Sequence, residues 1–340
     1  MARYFRGDRR PASEVGGVLV PVDAESLARA GALLRAGGLV AFPTETVYGL
    51  GANALDAVAV ARIFEAKGRP AFDPLIVHVT GAAMLATVVR DVPDLGRRLI
   101  ERFWPGPLTL VLEKSEAVPD IVSAGLPTVG VRSPAHPAAR ALIEAAGVPV
   151  AAPSANRFGG LSPTRAEHVA AQLGDAVDTI LDAGPTAHGI ESTIVLVAGG
   201  RLALLRHGAL PLELLEAVTG PLPDATTPGP ERASLPLAPG QLPAHYAPRT
   251  PLCIVEPESV PLAERTRAGL LAFRRPVDER DYAAVRVLSA EGDLREAAAA
   301  LFGALHELDA LGLERIDAQP VPQTGVGRAI ADRLRRAAFR

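Results

Sequence analysis

Residues 221–250, PLPDATTPGPERASLPLAPGQLPAHYAPRT, limit most strongly what this chain can fold into. Proline fixes φ, lacks an amide proton, and is excluded from helix interiors and central strands. The stretch has no apolar period with which to join a core, so it reads as a linker of restricted flexibility, partly polyproline-like. It is also longer than ordinary connections, which points to a function or a domain boundary. The 340 residues therefore divide into a domain at 1–220, the linker at 221–250, and a smaller domain at 251–340.

Before the linker, short apolar runs alternate with helical periods. Strands are expected at 39–43, 74–79, 107–113, 128–132, 149–153, 178–183, 192–198 and 202–206. Helices are expected at 24–37, 56–68, 93–104, 136–147, 164–174 and 211–220. Asp56 and Gly68 punctuate the second helix, and Thr164 with Glu167 suggests a capping box on the fifth. This is an α/β domain built on a mixed, twisted sheet. Beyond the linker, strands at 252–256, 269–273 and 284–288, a helix at 292–312 and a closing helix from Val326 suggest a Rossmann-like, open doubly wound α/β unit.

Composition narrows the class. No apolar run approaches a membrane span, and the basic N-terminus lacks the apolar segment and cleavage site of a signal peptide. Cys253 is the single cysteine, which excludes an intrachain disulfide and a cysteine-based zinc site. A cytoplasmic protein is expected. A net charge of −3 argues against a generic nucleic-acid coat. Only two of the 35 basic residues are lysines, Lys67 and Lys114. Lys67 stands two residues before Arg69 in a Gly/Pro turn, where a compact point charge differs most from a planar guanidinium.

The chemistry is concentrated in loops at strand ends: FPTETVYGLGAN (42–53), KGRPAFDPL (67–75), GLPTVGVRSP (125–134), APSANRFGGLSPT (152–164) and GIESTI (189–194). Hydroxyls, amides and cations dominate them, a palette suited to anions. They match no common nucleotide loop. Gly49 and Gly51 lack the third glycine of a dinucleotide turn, and Ala66 precedes Lys67 where a P-loop needs glycine. Ser154 lies in a bare PSAN rather than a nucleophile elbow. No carboxylate or histidine cluster suggests a protein-held metal. Singly, each residue has an ordinary reading: Thr44, Thr46, Ser154 and Asn156 as turn formers, Lys67 and Arg69 as solvated charges, His78 as a core histidine. Arg132 could end its strand beside an acid, and Ser192 and Thr193 suit a strand start. His136, His168, His188 and His306 read as structural or surface residues.

Taken together the motifs are more specific. PTETVYGLG, KGRPAFDPLIVHV, WPGPLTLVL, VGVRSPAHP, APSAN, SPT and GIESTIV occur in the order found in the YrdC-like threonylcarbamoyl-AMP synthases, which the chain resembles over nearly its whole length. The HYAP-bearing linker and small second domain resemble the long form of that family. The resemblance implies an α/β-twist catalytic domain. It implies that L-threonine, bicarbonate or CO2, and ATP become threonylcarbamoyl-AMP and pyrophosphate, the first step toward N6-threonylcarbamoyladenosine at tRNA position 37. Lys67 and Arg69 are then the expected catalytic phosphate ligands. Thr44, Thr46, His78, Arg132 and Ser192 are expected to hold threonine. Asp73, Thr128, Ala152, Ser154, Asn156, Ser162, Arg206, His245 and Tyr246 are expected around the nucleotide, with Lys67 and Arg69. The family pattern carries Asn where this chain has Asp73. A carboxylate cannot donate as an amide does, so Asp73 is expected to act through magnesium or through its own turn. Mg2+ is expected to arrive with ATP, and His245 and Tyr246 are expected to fold over the site as a lid. Expected partners are the proteins that transfer the product to tRNA, with weak contact to tRNA itself and no membrane. Two other readings stay open at this stage: a carbamoyl-transfer relative, and an RNA-binding or ribosome-associated module without ATP chemistry.

Overall fold

A computed structural model of the chain describes residues 18–226, 237–242, 245–275 and 281–339. The N-terminal segment read as lacking a signal peptide, and the middle of the Pro-rich linker, lie outside the described residues. No helix among the described residues is long and apolar enough to cross a membrane.

The first sheet has ten strands: β1 (Val18–Pro21), β2 (Val40–Phe42), β3 (Gly49–Asn53), β4 (Ile76–His78), β5 (Leu108–Glu113), β6 (Thr128–Arg132), β7 (Val150–Ala151), β8 (Thr179–Asp182), β9 (Thr193–Ala198) and β10 (Arg201–Arg206). Their spatial order is β1-β8-β2-β3-β7-β4-β6-β5-β9-β10. Parallel pairs such as β4–β6 and β5–β9 alternate with antiparallel pairs such as β3–β7 and β9–β10, which makes the sheet mixed. One face buries a continuous apolar core under the helices, including Leu50, Val60, Ile63, Val77, Leu110 and Val131. At about 25 cal/mol per Å2 of apolar surface, that burial is the main force holding the layers together.

Three local features place the chemistry. The helix Ala57–Lys67 starts at Asp56, whose carboxylate accepts from the amides of Val58 and Ala59, and stops at Gly68 with φ of 62°. Lys67 thus stands in the last turn, where the helix dipole favours a cation. The parallel register of β4 with β6 sets His78 beside Arg132. At the far edge, a register shift between Leu204 and Arg206 interrupts the β10–β9 ladder just before Arg206.

Residues 44–53, for which the sequence suggests only a loop, contain strand β3. Its glycines reflect packing: a Cβ on Gly51 would stand 2.8 Å from both the Phe42 ring and Val150. The fifth helix also differs from expectation. It begins at Ala166, and neither Thr164 nor Glu167 forms a capping box. The Thr164 amide donates instead to His168 Nδ1, at 3.3 Å, and its carbonyl accepts from Thr186.

After the linker, β11 (Leu252–Ile254), β12 (Ala268–Ala272), β13 (Ala284–Val287) and β14 (Arg315–Ala318) form a wholly parallel sheet in the order β11-β14-β12-β13. Strand β14 lies outside the elements expected from sequence: RIDA alternates, but over only four residues and with Ile316 as its one large apolar side chain. The helices Leu294–Asp309 and Gly327–Ala338 pack with this sheet. The same apolar cluster includes Val47, Leu161 and Ile190 from the first domain and Tyr246 from the linker, so the two domains share a core.

Candidate active site

Four cations are buried around one cavity or directly against it. Lys67, Arg69, Arg132 and Arg206 are each no more than 7% exposed. Lys67 Nζ donates to the carbonyls of Ser154 (2.6 Å) and Asn156. Burial and neighbouring Arg69 push its ammonium well below the usual lysine value, with Asp73 opposing. Arg69 donates to the carbonyls of Asp73 and Pro74 and forms a 2.9 Å ion pair with the Asp73 carboxylate. Arg206 donates to the Ser192 carbonyl through Nε and Nη2, and to that of Pro239. Arg132 donates to Thr46 Oγ1 at 2.8 Å and pairs with Glu45 at 2.7 Å. Burial raises the Glu45 carboxyl, but Arg132 more than offsets this and holds it below the usual range.

Hydroxyls and a histidine complete the wall. Thr44 Oγ1 lies 2.8 Å from Thr46 Oγ1, donates to the Val47 carbonyl, and accepts from the amides of Thr46 and Val47. Ser192 Oγ lies 2.8 Å from Thr109 Oγ1 and accepts from Arg206. His78 is pushed down to about 3, by burial first and then by Arg132, so its ring is neutral near pH 7. Its Nδ1, together with Asn156 Oδ1, His245 Nδ1 and the Tyr246 hydroxyl, is buried without a hydrogen-bond partner among the described residues. Buried polar atoms are nearly always satisfied, and several unsatisfied ones in one region mark a place for a ligand.

Described residues of the linker form the roof. Leu237 and Ala238 pack on Ile76, Ile194, Leu196 and Leu205 of the sheet face. Gly240, His245 and Tyr246 face the cavity, and only about 50 Å3 remains open. Small-molecule sites usually offer at least about 300 Å3. Any ligand of nucleotide size therefore needs this segment to move.

The cavity is lined by Thr44, Thr46, Arg69, His78, Arg132, Ala152, Ser154, Ser192, Arg206, His245 and Tyr246. Lys67 and Asn156 join through the contacts above. Asp73 joins through Arg69, and Ser162 through the bond its hydroxyl donates to Glu191. Thr128 stands apart. It opens β6 and shares a face with Arg132, four residues and about 13 Å away by strand geometry. There it lines a second cavity of about 310 Å3 with Leu126, Leu196 and Arg201. Sequence reasoning passed over Glu45 and Glu191, although both lie inside quoted motifs; acids within an anion-binding palette attracted no role. His136, read as structural, caps the helix Pro137–Ala146 through Nδ1.

Among the described residues no three His, Cys, Asp or Glu side chains converge as a metal site. The carboxylate facing Lys67 and Arg69 is Asp73, already taken by Arg69. This donor set does not fit a protein-held ion.

Comparison with known proteins identifies relatives along both domains. Residues 32–208 match the Sua5–YciO–YrdC family model, described as "Telomere recombination", and residues 210–339 match one described as "Threonylcarbamoyl-AMP synthase, C-terminal domain". The threonylcarbamoyl-AMP synthase of Pyrococcus abyssi is 43% identical over 91% of this chain and 92% of its own. That of Bacillus subtilis is 43% identical over 92% of each. The crystal structure of P. abyssi Sua5 complexed with L-threonine superposes with a TM-score of 0.87 at 40% identity, covering 94% of this chain and 97% of that one. The fold and the similarity across both domains agree, and the chain belongs to the threonylcarbamoyl-AMP synthase family.

Proposed function

We propose that the cavity joins L-threonine, CO2 drawn from bicarbonate, and MgATP into threonylcarbamoyl-AMP and pyrophosphate. The observation that carries this reading is the set of four buried cations, of which only Arg69 and Arg132 form an ion pair with a carboxylate among the described residues. Uncompensated buried charge is costly, and an anionic ligand relieves it. Arg132, Thr46 and Ser192 offer a guanidinium and two hydroxyls to an amino-acid carboxylate. The unpartnered Nδ1 of neutral His78 can accept from the substrate hydroxyl.

The reaction asks for little covalent chemistry from the protein. The threonine nitrogen adds to CO2 and loses a proton, giving a carbamate. A carbamate oxygen then attacks the α-phosphorus, and the bond to the bridging oxygen breaks as pyrophosphate leaves with the electron pair. Lys67, Arg69 and Arg206 stabilise the charge on the phosphate oxygens and hold the two anions together. Magnesium enters as part of MgATP. The His245–Tyr246 segment closes over the carbamate and excludes water. The adenylate then serves a transfer step toward position 37 of tRNA, with separate transfer proteins and weak contact to tRNA, in the cytoplasm, where ATP is supplied.

The test is pyrophosphate release by the purified chain with MgATP, omitting threonine and bicarbonate in turn. Release should require both. Lys67→Ala should lower it by about 100-fold or more. Untouched ATP under all conditions, with tight RNA binding, would replace this reading by a binding module.

A further inference from the structure

Arg333 is among the largest fully buried side chains, 1% exposed, and it belongs to the second domain, on the helix Gly327–Ala338. None of its main partners outside that helix belongs to the second domain's own sheet. Nε donates to Glu191 Oε2 at 2.9 Å, and Nη1 donates to the His207 carbonyl at 2.6 Å. The guanidinium carbon lies 5.3 Å from the centre of the Tyr246 ring. Glu191 is a wall residue of the cavity, its other oxygen accepts from Ser162, and Ser192 follows it directly. Tyr246 is a roof residue, with φ of 63°, a strained backbone for a tyrosine. One side chain thus joins three parts of the molecule: catalytic wall, linker and second domain.

One turn on, Arg336 strengthens the grip. It donates to the carbonyls of Leu242 and Thr226, and its own carbonyl lies 3.4 Å from the His245 amide. Asp332 pairs with both arginines, which leaves the cluster of Glu191, Asp332, Arg333 and Arg336 balanced in charge.

We propose that Arg333 is a positioning residue of the catalytic pocket: its guanidinium holds Glu191 in the wall and the Tyr246 ring over the mouth, so that the second domain latches the linker closed. Resting on the function above, this gives the second domain a task in the reaction. With the linker lifted, Arg333 loses the aromatic face that covers it. Closing the linker restores that contact, which also helps hold Tyr246 in its strained conformation.

The test uses the full chain in four variants: Arg333→Met, Arg333→Lys, the double Glu191→Gln/Arg333→Met, and Arg328→Ala as control. Arg328 lies on the same helix and pairs with Glu213 near the surface. Two readouts need no turnover: the Kd for MgATP beside that for threonine, and hydrogen exchange at the Ala247 amide, which donates to the Gly159 carbonyl in the closed linker. Arg333→Met is expected to weaken MgATP at least about tenfold and threonine less than threefold, and to speed exchange at Ala247 about tenfold or more. Arg333→Lys should fall between, because an ammonium keeps the charge but not the fork. Removing one partner of a buried pair costs more than removing both, so the double variant should recover thermal stability. The proposal requires that it not recover MgATP affinity. Recovery of both together, or Ala247 exchange in Arg333→Met no faster than in the control, overturns the proposal. Dependence of pyrophosphate release on threonine and bicarbonate in the wild type tests the functional reading separately.

Discussion

Asp73 shows how one residue changes the electrostatics around a buried arginine. Its carboxylate is fully buried against Arg69, and its own amide closes a turn onto the Pro70 carbonyl. Burial pushes the carboxyl above its usual range, while Arg69, Lys67 and Arg206 pull against that. The turn expected from sequence is present, and Arg69 is a charged partner of the carboxylate. On the proposed function, a phosphate competes with this internal anion for Arg69. Asp73→Asn should therefore lower the Kd for MgATP, read by calorimetry, while costing up to about 3 kcal/mol of stability, because Arg69 loses its buried counter-charge. Weaker ATP binding in a well-folded Asp73→Asn variant would show that the carboxylate assists the nucleotide.

At the level of elements, the linker segment behaves as part of the site. Gly240 has φ of 82°, and a Cβ there would meet the Tyr246 hydroxyl at 2.7 Å and Arg206 Cδ at 3.1 Å. Gly240→Ala should thus unseat the roof at a cost of about 1–3 kcal/mol. Its expected signature is free threonylcarbamoyl-AMP appearing faster than in the wild type, while the Kd for threonine changes little, since Thr46, His78 and Arg132 stand on β-strand ends and their turns. Unchanged product retention would mean that the roof closes without this turn. His245 supports the same picture. Burial comes first, then Arg69, Lys67 and Arg206, in pushing its ring well below the usual value, so it covers the cavity as a neutral, polarisable group.

For the whole molecule, all seven histidines are held below their ordinary value, each with burial as the leading cause. His78 and His168 reach about 3. His168 stacks on His306 with ring centres 3.8 Å apart, across the contact between the two domains. A base whose folded value lies below its unfolded value binds fewer protons when folded. Stability is then fully present above the unfolded value of about 6.5, and is lost as pH falls from there toward about 3. Calorimetric scans should show Tm falling steadily below pH 6.5, with proton uptake on unfolding near pH 5. A Tm flat from pH 7 to 4.5 would contradict the burial of these rings.

Local patterns in the chain determined much of this structure, because short-range physics is written in short stretches. Strand β6 lies where TVGVR alternates, and the helix Ala57–Lys67 lies between its Asp56 and Gly68 signals. The same loops announced a collection of cations and hydroxyls suited to anions. What needed tertiary structure was pairing across distance. β3 forms because its glycines fit against Phe42 and Val150, and Thr164 loses its capping role because His168 takes its amide. Thr128 shares a sheet face with Arg132, but strand length carries it to a different cavity. Glu45 finds Arg132, and Glu191 meets an arginine 142 residues later in the chain. No periodicity encodes which buried charges will meet; only the packing of two domains and a linker around one cavity decides it.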